Sequence, residues 1–369
     1  MKIKLVKIVI LIVVLSRGLN VFSQDEAKAL KPIRPLGISI GPQFGFIYQH
    51  KPDMDHLVTG HIKGLNIHVY RNFNGDEKWQ ADFAHPAAGI HFQGIDLANP
   101  YLGNAIAVMP FINFPLNGFK NNPLRLKVST GLGWLTNPFR LEENSKNTAI
   151  SSHINAAIHF EIAHSFRISE AHKIGFGLSL THYSNGAWSV PNTGVNIFAL
   201  NANYAFHSGV AQERKTIRTA AWDKTFRILV WGGGSGKEIF PVNRASYPAA
   251  TLALSGYKRF SPKSSIGTGL DFMYDGTLAR RYHYFEQDPN FFQNVRVGTG
   301  LRYVLHFNRI RIPLEQLFYL WSKNNPDTFL YQRIGIQYEI NKKLIAGVTL
   351  KSHFAKADYV EWQIGYLLK

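Results

Sequence analysis

Between residues 172 and 184 the even positions Ile174, Phe176, Leu178 and Leu180 are apolar, while Gly175, Gly177, Ser179 and Thr181 fill the odd ones. Side chains two apart on an extended strand share one face, so such a run makes a ribbon with one apolar side. The same habit recurs along the chain in runs of roughly ten to fourteen residues bounded by turn residues. The runs predict strands over 36–49, 59–71, 87–97, 103–114, 124–135, 150–167, 172–184 and 194–207. A second set follows a longer connection, over 224–237, 247–260, 263–276, 294–306, 308–321, 327–340, 343–355 and 358–368. Alternation alone fits a soluble sandwich as well as a membrane wall. Length separates the two, because strands of nine to eleven residues or more match a tilted bilayer crossing and ordinary strands are shorter. The expectation is an all-β chain, a transmembrane antiparallel up-and-down β-barrel of about 14–16 strands. An eight-stranded unit over 36–207 with further strands over 208–369, or two eight-stranded barrels, also fits the segmentation.

The first residues read as an export signal. Lys2, Lys4 and Lys7 precede an apolar run from Ile8 to Leu15, and Val21 and Ser23 suit a cleavage just before Gln24. Residues 1–23 are therefore expected to leave, with 24–369 forming the barrel. The apolar run is too short to span comfortably, and no later stretch is long enough for a membrane helix. There is no cysteine, so folding needs no disulfide. The formal charge is +17, and discounting Lys2, Lys4, Lys7 and Arg17 leaves +13. A basic exported barrel suits an anionic, phosphorylated glycolipid surface. Nucleic acid is not expected as a partner, because the basic residues are dispersed among strands without a binding motif.

With both ends in the periplasm, the connections 136–149 and 185–193 face outward and the tight 168–171 turn faces inward. The connection 208–223 is long where a short turn is expected, and Gln212-Glu213-Arg214-Lys215 suits a small helix or a boundary between halves. The last run, with Val360, Trp362, Ile364, Tyr366 and Leu368 on one face, suits a closing strand laid against the first. His85-Pro86-Ala87-Ala88 is echoed by Tyr247-Pro248-Ala249-Ala250, too slight an echo to define a repeat. His153 and His159 are expected on the interior face opposite Ile150, Ile154 and Ile158, without metal spacing, so neither metal nor cofactor is expected.

The chemistry concentrates in Thr181-His182-Tyr183-Ser184-Asn185-Gly186 and Pro191-Asn192-Thr193-Gly194-Val195-Asn196. His182 and Ser184 extend the apolar, even face. A hairpin centred near Ser189 puts Asn196 opposite His182 and Gly194 opposite Ser184. Two strand positions are roughly 6.5 Å apart, close enough for the imidazole to lean toward the serine and take its proton. Asn196 can accept from the other ring nitrogen but brings no charge, and an uncharged partner is expected to slow a serine nucleophile. Glu161 has interior parity and is excluded as the acid, while Glu142, Glu143 and Asp96 belong to loops that the sequence does not place. Asn185 and Asn192 suit donors to an oxyanion, or plain turn residues.

At these residues the chain resembles the outer-membrane lipid A 3-O-deacylases of the PagL family and their longer acyloxyacyl-hydrolase-like relatives. The family motif is a His-x-Ser-Asn run, a later Asn and then a Glu. His182, Ser184 and Asn185 match the run, Asn192 matches the later Asn, and Asn196 stands where the family has its acid. The resemblance covers roughly 36–207, and Pro100-Tyr101-Leu102-Gly103-Asn104 also resembles the longer relatives. It implies His182 as base, Ser184 as nucleophile, and Asn185 with Asn192 as oxyanion donors. The implied activity is removal of an ester-linked acyl chain from lipid A in the outer leaflet of the bacterial outer membrane. The alternative is a non-catalytic outer-membrane barrel, a channel or lipid-binding protein that keeps a degenerate site.

Overall fold

A strand pattern that alternates apolar and polar side chains leaves open which face is the inside. The computed structural model, which describes residues 36–116, 124–208, 222–240, 245–282, 290–324, 327–354 and 356–368, decides it. Along the first strand Ile38, Ile40, Phe44 and Phe46 point outward and stay exposed, whereas Ser39 and Gln43 are buried inside. The other strands repeat the arrangement, with Leu252 and Leu254 out against Thr251 and Ser255 in, and Trp362 and Ile364 out against Glu361 and Gln363 in. An apolar exterior around a polar interior is the inverse of a water-soluble domain and the arrangement a bilayer requires. Among the described residues no helix is long and apolar enough to cross a membrane.

Eight strands close the first barrel: β1 (Leu36–Ile47), β2 (His61–Asn72), β3 (Ala87–Asp96), β4 (Asn104–Pro115), β5 (Leu124–Leu135), β6 (Ile154–Arg167), β7 (His172–Ser184) and β8 (Val195–His207). Closure is made by β8 on β1, with Phe46 opposite Phe198 and Ile38 opposite Phe206. A second closed barrel follows: β9 (Phe226–Lys237), β10 (Tyr247–Arg259), β11 (Ser264–Asp275), β12 (Val295–Phe307), β13 (Ile310–Ser322), β14 (Leu330–Glu339), β15 (Leu344–His353) and β16 (Lys356–Leu367). The expected sixteen strands are thus present, as two barrels of eight. One expectation is corrected: the last strand closes on β9, Ile364 opposite Gly232, and not on the first strand, whose free edge β8 has already taken. The long connection 208–223 joins the two barrels. Its 212–215 stretch and the export signal 1–23 lie outside the described residues. The Pro-Ala-Ala echo falls on non-equivalent strands, β3 and β10, so it marks no repeat.

Neither lumen is open water. Eight strands enclose only enough room for side chains to fill. In the first barrel Asn66 Nδ2 donates to Gln43 Oε1 at 3.3 Å and Asn201 Oδ1 at 3.1 Å, and Lys127 Nζ reaches Glu161 Oε2 at 2.8 Å. In the second, Arg333 holds Asp271, Glu315 and Glu361 at 3.0, 2.8 and 2.7 Å, and Arg302 holds Asp271 at 2.6 Å. Nearer its end Lys237 bridges Asp275 and Asp358, and Lys351 adds to Asp358 at 2.6 Å. Charges this deep are tolerable only when each is paired, which these are.

The connections at the 48–60, 97–103, 136–153 and 185–194 end of the first barrel are packed rather than splayed. Met54, Leu57, Leu97, Leu102 and Ile150 form a buried apolar cap with Ile62, Ile95, Leu135, Tyr183 and Val195. Ile150 therefore belongs to this cap and not to the outward face expected for it, because β6 begins only at Ile154. His153 is corrected for the same reason. It lies outside the strand and stacks on the outward-facing Trp134 at 4.6 Å, while His159 alone is interior. The Pro100–Asn104 stretch serves the cap: Asn144 and Asn147 donate to the Tyr101 carbonyl at 2.9 and 3.2 Å.

The two barrels touch at both ends. Phe307 stacks against Phe83 at 4.3 Å and Phe114 at 5.5 Å, and Asn308 reaches Glu77 at 3.0 Å, through the end opposite the cap. At the capped end Glu238 meets the 185–193 connection. Filled lumens carry a direct expectation: the full-length protein reconstituted in planar bilayers gives no stepwise conductance. Discrete channel openings would contradict the packing.

Candidate active site

The outer wall of β7 climbs through Phe176 and Leu178, the latter 65% exposed, to a half-buried His182. Period-two geometry puts His182 on this wall, and the ladder sets its neighbours, with Ile158 opposite on β6 and Asn196 opposite on β8. Leu200 and Phe198 continue the apolar wall beneath Asn196, and Tyr48 packs edge-on against Phe198 at 5.6 Å. Between them, on the opposite parity, Tyr183 points into the lumen and donates to Gln93 Oε1 at 2.7 Å. This buried anchor fixes the strand whose next outward residue is Ser184. Glu161 is likewise interior and committed to Lys127, so the exclusion of it as an acid agrees with its position.

Pairing between β7 and β8 stops at Tyr183 opposite Val195. The expected pair of Ser184 with Gly194 does not form. Gly194 turns away with φ +80° and gives its N–H to Ala149 O at 3.0 Å instead. That conformation favours glycine, and a Cβ here would come within 2.8 Å of His182 Cε1, so the residue also makes room for the ring.

His182 Nδ1 lies 2.7 Å from Asn196 Oδ1. A carboxamide oxygen can only accept, so Nδ1 carries the proton and Nε2 keeps its lone pair. Among the described residues no carboxylate bonds this ring, and Nε2 makes no hydrogen bond. What turns the Asn196 oxygen toward His182 is His50, which no spacing in the sequence singles out. Its Nε2 lies 3.0 Å from Thr193 O, and its Nδ1 lies 3.1 Å from Asn196 Nδ2. Nδ1 is also 3.4 Å from Tyr48 O, but a neutral ring has one proton and the shorter carbonyl contact takes it. Nδ1 of His50 is then an acceptor, the Asn196 amino group must face it, and the oxygen is left for His182.

Ser184 is 9% exposed, at the end of β7. Its Oγ receives Asn192 Nδ2 at 2.9 Å and the Gly186 backbone N–H at 3.2 Å. Asn192 is aimed by its own oxygen, which accepts the Asn185 N–H at 3.2 Å. The Asn185 side chain does something different. Its amino group is shared among Ser151 Oγ, Ser152 Oγ and Ser189 O at 3.1, 3.1 and 3.0 Å, and its oxygen takes the Ala187 N–H at 3.0 Å. Asn185 thus braces the 185–193 turn against the neighbouring connection, while Asn192 and Gly186 are the donors at the hydroxyl. His182 and Ser184 share one outer face two residues apart, without a direct hydrogen bond between them. The site therefore holds a hydroxyl between two donors, beside an imidazole of fixed tautomer, at the rim of an apolar wall. Among the described residues there is no group of three or more His, Cys, Asp or Glu able to hold a metal ion.

Residues 63–205 match the family described as lipid A 3-O-deacylase (PagL), and residues 225–369 match the one described as acyloxyacyl hydrolase, C-terminal domain. No curated protein matches the chain. Similar solved structures include a triple mutant of the Rhodopseudomonas blastica porin, at 11% identity, covering 90% of this chain and 99% of that one with a TM-score of 0.18. Another mutant of that porin has 12% identity, 90% and 100% coverage and a TM-score of 0.19. Overlaps that slight carry no structural argument.

The orienting role of His50 has a readout independent of any reaction. In ¹⁵N-histidine-labelled protein, the His182 nitrogen shifts should report an Nδ1-protonated neutral ring. Replacing His50 by Ala should convert this to a tautomer mixture, because the Asn196 amide is then free to turn. An unchanged His182 signature in His50→Ala would remove His50 from the site.

Proposed function

Because the chain belongs to the lipid A 3-O-deacylase (PagL) family, we propose that it is an outer-membrane esterase that removes an ester-linked acyl chain from lipid A. The observation that carries this reading is the convergence at Ser184 Oγ of Asn192 Nδ2 and the Gly186 N–H, beside the tautomerically fixed His182, on a lipid-facing rim. The ester of a glycolipid in the outer leaflet can reach such a rim by lateral diffusion, without leaving the membrane.

Ser184 Oγ attacks the acyl carbonyl carbon as its proton passes to His182 Nε2, and the carbonyl π electrons move onto oxygen. Gly186 N–H and Asn192, the donors beside Oγ, would turn to the negative charge of the tetrahedral intermediate as it forms. Collapse breaks the bond to the sugar oxygen, which takes the proton from His182. A water then attacks the acyl-serine by the same route, giving the free fatty acid and restoring both residues.

The amide at 196 supports this less well than a carboxylate would, since it cannot compensate the charge of an imidazolium. In serine proteases an Asp-to-Asn change costs about ten-thousandfold in kcat, chiefly through the wrong tautomer. Here His50 holds the amide so that the correct tautomer is kept, which leaves only the missing charge as a defect.

Mass spectrometry of lipid A from membranes with and without the protein tests the proposal. The wild-type protein should remove one ester-linked acyl chain, and Ser184→Ala should remove none. Asn196→Glu should raise the rate by about tenfold, the order expected for a charge-assisted bond replacing a neutral one. An unchanged lipid A profile with wild-type protein would defeat the esterase reading.

A further inference from the structure

The turn that carries the two donors does not stand alone on the first barrel. Glu238, just beyond the end of β9, accepts the Val190 N–H on its carboxylate at 3.0 Å, and gives its own N–H to Ala187 O at 3.1 Å. On the far side of the same turn, Leu350 and Val360 face each other across the β15–β16 ladder and point outward from the second barrel. They meet Gly186. A Cβ added at Gly186 would lie 2.4 Å from Val360 Cγ2 and 3.6 Å from Leu350 Cδ1. Lower on that face Trp362 and Ile364 remain 61% and 60% exposed, whereas Val360 is half-buried by this contact. Gly186 is the residue whose N–H bonds Ser184 Oγ, with φ +68°, so its peptide plane cannot shift without moving that donor.

From these contacts we propose that the second barrel positions the active-site turn of the first, with Glu238 as the positioning residue that ties residues 187–190 and Val360 as the wall behind Gly186. The inference rests on the reading of Ser184 as the nucleophile. Two hydrogen bonds to the Glu238 residue and one apolar contact restrain a nine-residue turn (185–193) that leaves the ladder at both of its ends. The first barrel supplies the reacting side chains and the second backs the Gly186 donor and ties residues 187–190, the segment between Gly186 and Asn192. A free eight-stranded unit would carry the same residues on a looser turn.

The test uses the full-length protein in membrane vesicles as wild type, Glu238→Ala and Glu238→Gln. Heat-modifiable migration of the folded protein reports whether the barrels are intact. Deuterium uptake by the 185–193 peptide reports the tie itself, and deacylation kinetics on lipid A report its consequence. Glu238→Ala should speed deuterium uptake in that peptide and lower kcat about tenfold with KM little changed, as expected when a transition-state donor is misplaced. Glu238→Gln should restore both, since its carboxamide oxygen can accept the same N–H; a role through charge alone would not be rescued. Unchanged uptake in Glu238→Ala, or faster uptake with wild-type kcat, would overturn the proposal. A wild-type protein without deacylase activity would end the catalytic reading and the positioning role with it, and the uptake data would tell that failure from loss of the tie.

Discussion

A strand immersed in hydrocarbon has no water to satisfy its N–H and C=O groups, so a sheet in a membrane must close on itself. Everything else in this protein follows from meeting that demand twice. The first eight strands close through β8 on β1, and the second eight through β16 on β9. Once each wall is closed, its side-chain alternation has one assignment, with Ile, Leu and Phe toward lipid and polar groups toward a lumen too narrow for water alone. Paired charges such as Arg333 with Asp271, Glu315 and Glu361 fill that lumen in the second barrel. A closed narrow barrel is rigid, and the rim of the first one carries the candidate site residues His182, Ser184 and Asn196.

A candidate site on the outside of a barrel can draw only on side chains of the same face. A lipid-facing imidazole cannot draw on the interior carboxylate Glu161, which lies on the other side of the wall. Its orienting partner must come from the adjacent strand on the same face, and here that partner is the amide of Asn196. An amide has two interchangeable ends, and only one of them serves. His50 removes the ambiguity from a third strand's end, across the β8–β1 seam that closes the barrel. The closure that satisfies the backbone therefore also completes the site.

Much of this was legible in the chain. The runs at 124–135 and 172–184 coincide with β5 and β7, and period two was enough to put His182, Ser184 and Asn196 on one outward face. Spacing about a turn centred at Ser189 correctly paired His182 with Asn196, because a hairpin register is local. The misjudged features were non-local or depended on where a strand begins. Alternation cannot say which distant strand takes an open edge, so the partner of β16 was misassigned. His153 and Ile150 fit the β6 period but precede the strand, and the cap and Trp134 capture them instead. His50 lies 146 residues from Asn196, and Glu238 belongs to another barrel, so neither leaves a periodic or motif-like trace near the residues it serves. Asn185 reads as a donor by its adjacency to Ser184, yet its amide is spent on Ser151, Ser152 and Ser189, contacts set by how two loops pack.

The central claim is that Ser184 is a hydroxyl made nucleophilic by His182 on the lipid-facing rim. Treating outer-membrane vesicles with a long-chain alkyl fluorophosphonate and locating the adduct by peptide mass spectrometry tests it most directly. The account expects one phosphonylated residue, Ser184, with labelling lost in His182→Ala and retained in Glu142→Gln, a change at an exposed loop carboxylate. An unmodified Ser184, or labelling indifferent to His182, would contradict it.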